Sequence, residues 1–165
     1  DLDLLPASFG SREMDHLLQG QKLSRLRKIL KPVHDDYDLV ILDCPPSIST
    51  LSEHVFSSVD ALLVPTLPTT LSLRTLEQLR EHLDEADHAC PVGPFFTLAD
   101  RRKKLHLEVM STLKQDWPLM LTTTIPNASA IERMGLERAP VTQFARSSPA
   151  ARAYRSLWRE LEQRL

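Results

Sequence analysis

The chain has 165 residues, with 20 lysines and arginines against 22 aspartates and glutamates and a formal net charge of −2. That length is enough for one full core, and a charge so close to balance points neither toward nor away from nucleic acid for the molecule as a whole. No apolar stretch approaches the roughly 20 residues that cross a bilayer, which excludes a membrane-spanning helix. In chain order, short apolar runs rich in β-branched residues predict strands at 2–6, 39–44, 61–66, 93–98 and 119–125. Helical periodicity between them predicts helices near 11–31, 49–58, 70–88, 101–115 and 128–137, and a last one from 148 to the end. Within the third, Leu73, Leu76, Leu79 and Leu83 recur at three- and four-residue intervals and form one apolar face. Thr70 and Ser148 carry helix-capping chemistry, the latter with Pro149 at the favoured first helical position. Cys44 and Cys90 lack metal-ligand spacing, which suits a reduced, cytosolic compartment. The opening "DLDLLPASFG" has no Met and no basic leader, so the chain is expected to begin inside a longer protein.

Near-continuous apolar strands alternating with helices predict an α/β fold, a parallel sheet covered by helices on both faces, over a single domain at 1–165. Ligands in such sheets bind beyond the carboxyl ends of the strands. The segments there read "PASFG", "DCPPS", "PTLPTT", "ADRRKK" and "IPNAS", four of them stiffened by proline. The run Leu39-Val40-Ile41-Leu42 ending on Asp43 matches the Walker-B pattern, in which a strand delivers a carboxylate to the Mg²⁺ of a bound nucleotide through a water. The plainer alternative is that Asp43 caps the turn at Cys44-Pro45. Likewise Asp100 either serves a site or caps a helix opening at Arg101.

"YDLVILDCPPS", followed by a helix and then "VDALLVPTLPTTLSLRTLEQL", resembles the ParA/MinD family of deviant Walker ATPases. "FFTLADRRKKLHLEVMSTL" and the closing "TTTIPNASAIERMGLERAPVTQFARSSPAARAYRSLWREL" resemble later segments of that family in the same order, and "LDLLPASFGSREMD" resembles the part just before its Walker-B strand. The likeness runs through essentially the whole chain. It implies a P-loop NTPase-like fold, ATP and Mg²⁺ as cofactors, and Asp43 as the catalytic residue that positions Mg²⁺ and water. Pro45 and Pro46, with Ser47, would sense the terminal phosphate. Leu98, Asp100, Pro126 and Asn127 would hold the adenine end. The family's defining Gly-Lys-Gly-Gly-x-Gly-Lys-Ser/Thr loop has no match here: Gly10, Gly20, Gly93 and Gly135 stand isolated. The expectation is therefore a C-terminal portion of a ParA-like domain, incomplete at its N-terminus, inactive as an ATPase by itself and poorly soluble.

Arg101, Arg102, Lys103 and Lys104 form a basic run at a helix start, where the macrodipole disfavours cations. Arg152, Arg155 and Arg159 form one stripe on the last helix. Such a stripe suits sequence-independent contact with phosphates, and a solvated charged face is the bland alternative. The resemblance implies non-specific DNA binding through these residues, a homodimer when ATP is bound, a ParB-like partner protein, and a cytoplasmic, nucleoid-associated location. A membrane-surface reading of the last helix, as in MinD-type proteins, competes with its need to cover the sheet. Two further functions stay open: a biosynthetic ATP-dependent enzyme on the same scaffold, resembling cobyrinic acid diamide synthase or dethiobiotin synthetase, and a non-catalytic DNA- or partner-binding module without a P-loop. "HLDEADH" at 82–88 has metal-ligating residue types but reads first as a solvated helix end. No Gly-x-Ser-x-Gly elbow surrounds a serine, and the charge of Asp43 beside Cys44 makes that thiol a poor nucleophile.

Overall fold

A computed structural model of the protein describes residues 2–6, 13–88 and 90–164. The chain divides into two compact units, Asp1–Asp60 and Ala61–Leu165.

In the first unit the periodicity predicted over 11–31 becomes two helices, α1 (Met14–Leu18) and α2 (Arg25–Asp36). Gly20 separates them with a φ of 74°, a left-handed conformation that a β-carbon would strain. Residues 11 and 12 lie outside the described residues. A third helix, α3 (Thr50–Phe56), follows. Leu18, Leu26 and Val55 are buried, one from each helix. The first turn of α3 has N–H groups without a helical partner, and its N-cap Ser49 offers no side-chain bond. Asp15 supplies the acceptor instead, its Oδ1 taking the Leu51 N–H at 2.8 Å. That bond, first among the causes, holds the Asp15 carboxyl below its ordinary value. A depressed carboxyl contributes above its unfolded value, and the contribution is lost as pH falls through the depressed one. Asp15→Ala should therefore speed hydrogen exchange at the Leu51 amide several-fold near neutral pH, with wild type approaching the variant in acid. Equal exchange at neutral pH would show that water caps this turn equally well.

The strands predicted at 2–6 and 39–44 do not form. Both segments are irregular and exposed, with Leu2 at 96%, Leu5 at 89% and Ile41 at 75%. Apolar character places a segment in a sheet only if a neighbour offers its own N–H and C=O groups, and among the described residues none pairs with either segment. Asp3 of the first segment is held from the end of α2, where the Tyr37 hydroxyl donates to its Oδ2 at 2.7 Å.

The second unit is built on β1 (Leu62–Thr66) and β2 (Val92–Phe96), parallel and in register from Leu62 opposite Val92 to Thr66 opposite Phe96. Between them runs α4 (Thr70–Glu85). The helix begins where predicted, but its cap is Thr69, whose hydroxyl accepts the Ser72 N–H at 3.3 Å, and not Thr70. The 119–125 segment follows β2 without becoming a regular strand. Leu121 N–H donates to Pro94 O at 2.9 Å and Ile125 N–H to Phe96 O at 2.8 Å. Gly93 makes room for it, since a β-carbon there would meet Leu121 Cδ1 at 3.2 Å.

Consecutive residues of β2 serve opposite faces, as a period of two requires. Phe96 packs with Leu76 of α4 and with Val109 and Leu113 of α5 (Lys104–Asp116), together with Trp117 and Met120. Phe95 packs with Leu121, Ile125 and Leu157. Leu157 belongs to α9 (Pro149–Glu162), which is preceded by three single-turn helices, α6 (Ser129–Glu132), α7 (Met134–Glu137) and α8 (Val141–Phe144). The parallel sheet with helices on both faces is thus present in this unit. Ser148 caps α9 by accepting the Ala151 N–H at 3.1 Å, with Pro149 in its first turn, as the sequence indicates.

Candidate functional site

The carboxyl end of β2 passes into a loop whose backbone is tied at nearly every step. Thr97 N–H donates to Thr66 O at 3.0 Å, Ala99 N–H to Ile125 O at 3.1 Å, and Asn127 N–H returns to Ala99 O at 2.9 Å. Between the first two, Leu98 has a φ of 51°, a left-handed conformation that is costly for a residue with a branched side chain. Flanking bonds on both sides hold it there. Next, Asp100 N–H donates to Nδ1 of His106 at 3.1 Å, and Lys103 N–H closes a turn on Asp100 O at 3.1 Å.

This loop, the 124–127 segment and the start of α9 enclose a cleft of about 580 Å³, within the range of small-molecule sites. Asp100, Pro126 and Asn127, three of the four residues assigned to the adenine end, line it together with Arg101, Arg102 and Thr124. Leu98 does not; its contribution is the bend that aims the loop. The Asp100 carboxylate accepts from Arg102 three times, from the backbone N–H and Nε at 3.0 Å and from Nη2 at 2.9 Å. The guanidinium bonds, then the backbone bond, hold its carboxyl well below the usual range, so it stays charged. Asp100 does not cap a helix at Arg101: α5 begins only at Lys104, with Lys103 as its N-cap. This also relieves the conflict between cations and the macrodipole, because Arg101 and Arg102 precede the helix. Lys104, inside it, pairs with Glu108 at 3.5 Å.

Asp43, Pro45 and Pro46 belong to the first unit, where all three are exposed. Ser47 N–H closes a tight turn on Pro45 O at 2.8 Å, and Ser52 Oγ of α3 donates to Ser47 O, which fixes the Pro-Pro turn to that helix. Desolvation, and after it the charge of Asp43, push the Cys44 thiol up, away from nucleophilic use.

The residues present suit one end of Mg-ATP and not the other. The cleft, walled by prolines and an amide side chain, suits a planar base. A triphosphate needs a Gly-rich loop of inward N–H groups. Gly20 sits in a helix-ending turn with open space at its β-position, Gly93 lies inside β2, and Gly135 lies within α7. Gly10 lies outside the described residues. Among the described residues the glycines therefore build no phosphate cradle, and Asp43 offers a single exposed carboxylate. Among the described residues no group of three or more His, Cys, Asp or Glu could hold a metal ion, the 82–88 run included.

The arginine stripe of α9 has partners that its spacing did not announce. Arg152 Nη1 donates to Ser147 O, Arg155 Nη2 donates to Arg146 O at 2.8 Å, and Arg146 Nε donates to Gln143 O at 3.1 Å. Three guanidiniums are thereby gathered around the 143–148 loop. Arg159 lies on the rim of a second, shallow cleft of about 410 Å³ beside Thr122, Thr123 and Glu160. Two residues with clear structural work escaped sequence reading. His106 is the anchor of the site loop, and Glu160 accepts the Thr122 N–H at 2.6 Å and the Thr123 N–H at 2.9 Å. No helix among the described residues is long and apolar enough to cross a membrane. The apolar side of α9 is spent on the sheet through Leu157, Ala153, Tyr154 and Leu161.

Comparison with known proteins adds the family. The AAA_31 family, described as an AAA domain, matches residues 1–91, more than half of the chain. The chromosome-partitioning ATPase Soj of Treponema pallidum is 29% identical over 144 residues, covering 82% of this chain and 56% of that protein. Among solved structures, the cell division ATPase MinD of Pyrococcus furiosus superposes with a TM-score of 0.68 at 22% identity, over 87% of this chain and 60% of its own. Cobyrinic acid a,c-diamide synthase of Mycobacterium smegmatis gives 0.71 at 24% identity, over 92% and 58%. The chain spans about half to two thirds of the length of the curated relatives it matches. By its matched domain, its Soj and ParA relatives and its fold, the chain belongs to the ParA/MinD family of deviant Walker ATPases.

Proposed function

We propose that this chain is part of a ParA-like partitioning ATPase whose whole protein binds and hydrolyses Mg-ATP, dimerises around it, and holds DNA without regard to sequence in the cytoplasm, under the control of a ParB-like partner. The observation that carries the DNA part is the gathering of Arg146, Arg152 and Arg155 around one loop, with Arg159 farther along the same helix. Guanidiniums fixed by one bond to a carbonyl keep further N–H groups for phosphate oxygens, so their structural bonds and a DNA contact are compatible. Arg101, Lys103 and Lys104 would add charge at the other basic run. Nucleotide use finds its support in the cleft, where Asp100, Pro126 and Asn127 converge and a base would lie between the site loop and the 124–127 segment. Asp43 would orient a hydrated Mg²⁺, and the Pro45-Pro46 turn would pass the nucleotide's state to α3. The described residues hold no phosphate cradle, so the hydrolytic step would draw on parts of the whole protein beyond them. The likeness to cobyrinic acid a,c-diamide synthase speaks for a shared fold alone, and a basic α9 has no evident task in a ligase.

The test is the salt dependence of binding to a random-sequence DNA duplex, measured by fluorescence anisotropy. Arg152→Gln, Arg155→Gln and Arg159→Gln combined should lower the log–log salt slope by about 2.7, about 0.9 for each phosphate that is no longer neutralised. Lysine at the same three positions should keep the slope. An unchanged slope in the glutamine variant would place DNA elsewhere or nowhere on this chain.

A further inference from the structure

His106 is a buried polar residue with a task that the family reading does not supply. It lies in the first turn of α5, 6% exposed, in the same helix whose Val109 and Leu113 are locked into the Phe96 core. Its Nδ1 accepts the Asp100 N–H at 3.1 Å, so its own proton resides on Nε2. The loop needs such an anchor. Leu98 is held in a costly left-handed conformation, which persists only where the surroundings over-determine it. The bonds at Thr97, Ala99 and Asn127 fix the loop up to Ala99. Beyond that point the remaining bonds are internal to the turn: Arg102 to the Asp100 carboxylate and Lys103 to the Asp100 carbonyl. Arg102, with 89% of its side chain exposed, cannot hold the turn against the body of the protein. Among the described residues, His106 is what ties Asp100 to the packed core.

We infer that His106 is a positioning residue: it holds the 98–102 loop in the shape that forms one wall of the cleft, and the cleft accepts a planar heterocyclic base only while Nδ1 receives the Asp100 N–H. The second half rests on the nucleotide reading above. Loss of the acceptor leaves a partly buried N–H without a partner, and the turn that carries Asp100, Arg101 and Arg102 is then free to move off Pro126 and Asn127.

The test compares wild type, His106→Phe and His106→Asn. Phenylalanine fills the ring's volume without an acceptor, whereas the asparagine Oδ1 stands close to the place of Nδ1. Hydrogen exchange at the Asp100 amide reads the loop, imidazole ¹⁵N shifts read the tautomer, and titration with adenosine monophosphate reads the cleft. His106→Phe should speed Asp100 exchange and weaken adenosine monophosphate binding, each by about tenfold, while His106→Asn restores both to near wild type. The Nε2–H tautomer should be seen in wild type. Unchanged Asp100 protection in His106→Phe, or equal damage in both variants, would overturn the positioning role and leave His106 a packing residue. If wild type protects Asp100 and His106→Phe does not, yet adenosine monophosphate fails to bind wild type, the nucleotide reading falls together with the second half of the inference, and the hold of His106 on the loop stands.

Discussion

Ile125→Ala should destabilise the Ala61–Leu165 unit by about 3 kcal/mol, the middle of the range for removing a large aliphatic side chain from a closed core. Ile125 is 0% exposed and packs in the cluster of Phe95, Leu121 and Leu157, where α9 meets the sheet. Its backbone joins the two elements that shape the cleft, with its N–H on Phe96 O and its C=O receiving Ala99 N–H. A cavity beneath it therefore loosens both the core and the loop that follows β2. Ile125→Val removes one methylene and should cost about 1 kcal/mol. Leu71→Ala, at a side chain 74% exposed, should stay within about 0.5 kcal/mol of wild type. Urea unfolding followed by tryptophan fluorescence in a Trp158→Phe background measures all three, because the remaining Trp117 is buried in the neighbouring cluster. A loss below about 1 kcal/mol for alanine would mean that the cluster closes over the gap and that α9 is less firmly seated than its packing indicates.

What the sequence showed, and what it hid, follows from the range of each signal. Leu73, Leu76, Leu79 and Leu83 announce α4 because a helix makes its bonds within itself, so local spacing suffices, and Leu76 and Leu83 are indeed buried. Ser148 and Pro149 announce the start of α9 for the same reason. The apolar run 39–42 reads equally well as a strand, but a strand is completed by another chain segment, and its own residues cannot show whether one is there. Asp100 is a good helix cap by type. Its place was decided by the left-handed turn at Leu98, which delays α5 to Lys104 and turns the carboxylate onto Arg102. The cleft was half legible: strand ends in an α/β fold pointed to the segments "ADRRKK" and "IPNAS", and the family resemblance to Asp100, Pro126 and Asn127 within them, while Thr124 and the anchoring His106 were not visible. The bond between His106 and Asp100 crosses a turn of irregular shape, and no periodic spacing encodes it.

Glu160 carries the second large effect, and it depends on pH. Its carboxylate accepts the N–H groups of Thr122 and Thr123 and pairs with Arg164 at 2.9 Å, while Arg164 also reaches Leu119 O and Met120 O. One glutamate in the last turn of α9 and one arginine just past its end thus stitch the helix to the segment beside β2. Burial raises the Glu160 carboxyl, but the N–H groups of Thr122 and Thr123 outweigh it and hold the group below its ordinary value. A group depressed by folding stabilises the folded state above its unfolded value, about 4.3, and that stability drains away as pH falls through the depressed value. Glu160→Ala should cost about 2 kcal/mol near pH 7, less than two full charge-assisted bonds because Thr122 is exposed and water replaces part of what it loses. Glu160→Gln, which retains an acceptor without the charge, should cost about half as much. As pH falls through the depressed value, Glu160 becomes a neutral acceptor like glutamine, so the wild-type unfolding midpoint should converge on that of Glu160→Gln, while Glu160→Ala stays below both by about 1 kcal/mol. A gap between wild type and Glu160→Ala that stays constant from about pH 7 to pH 3 would show that the side chain holds α9 by packing rather than by its charge.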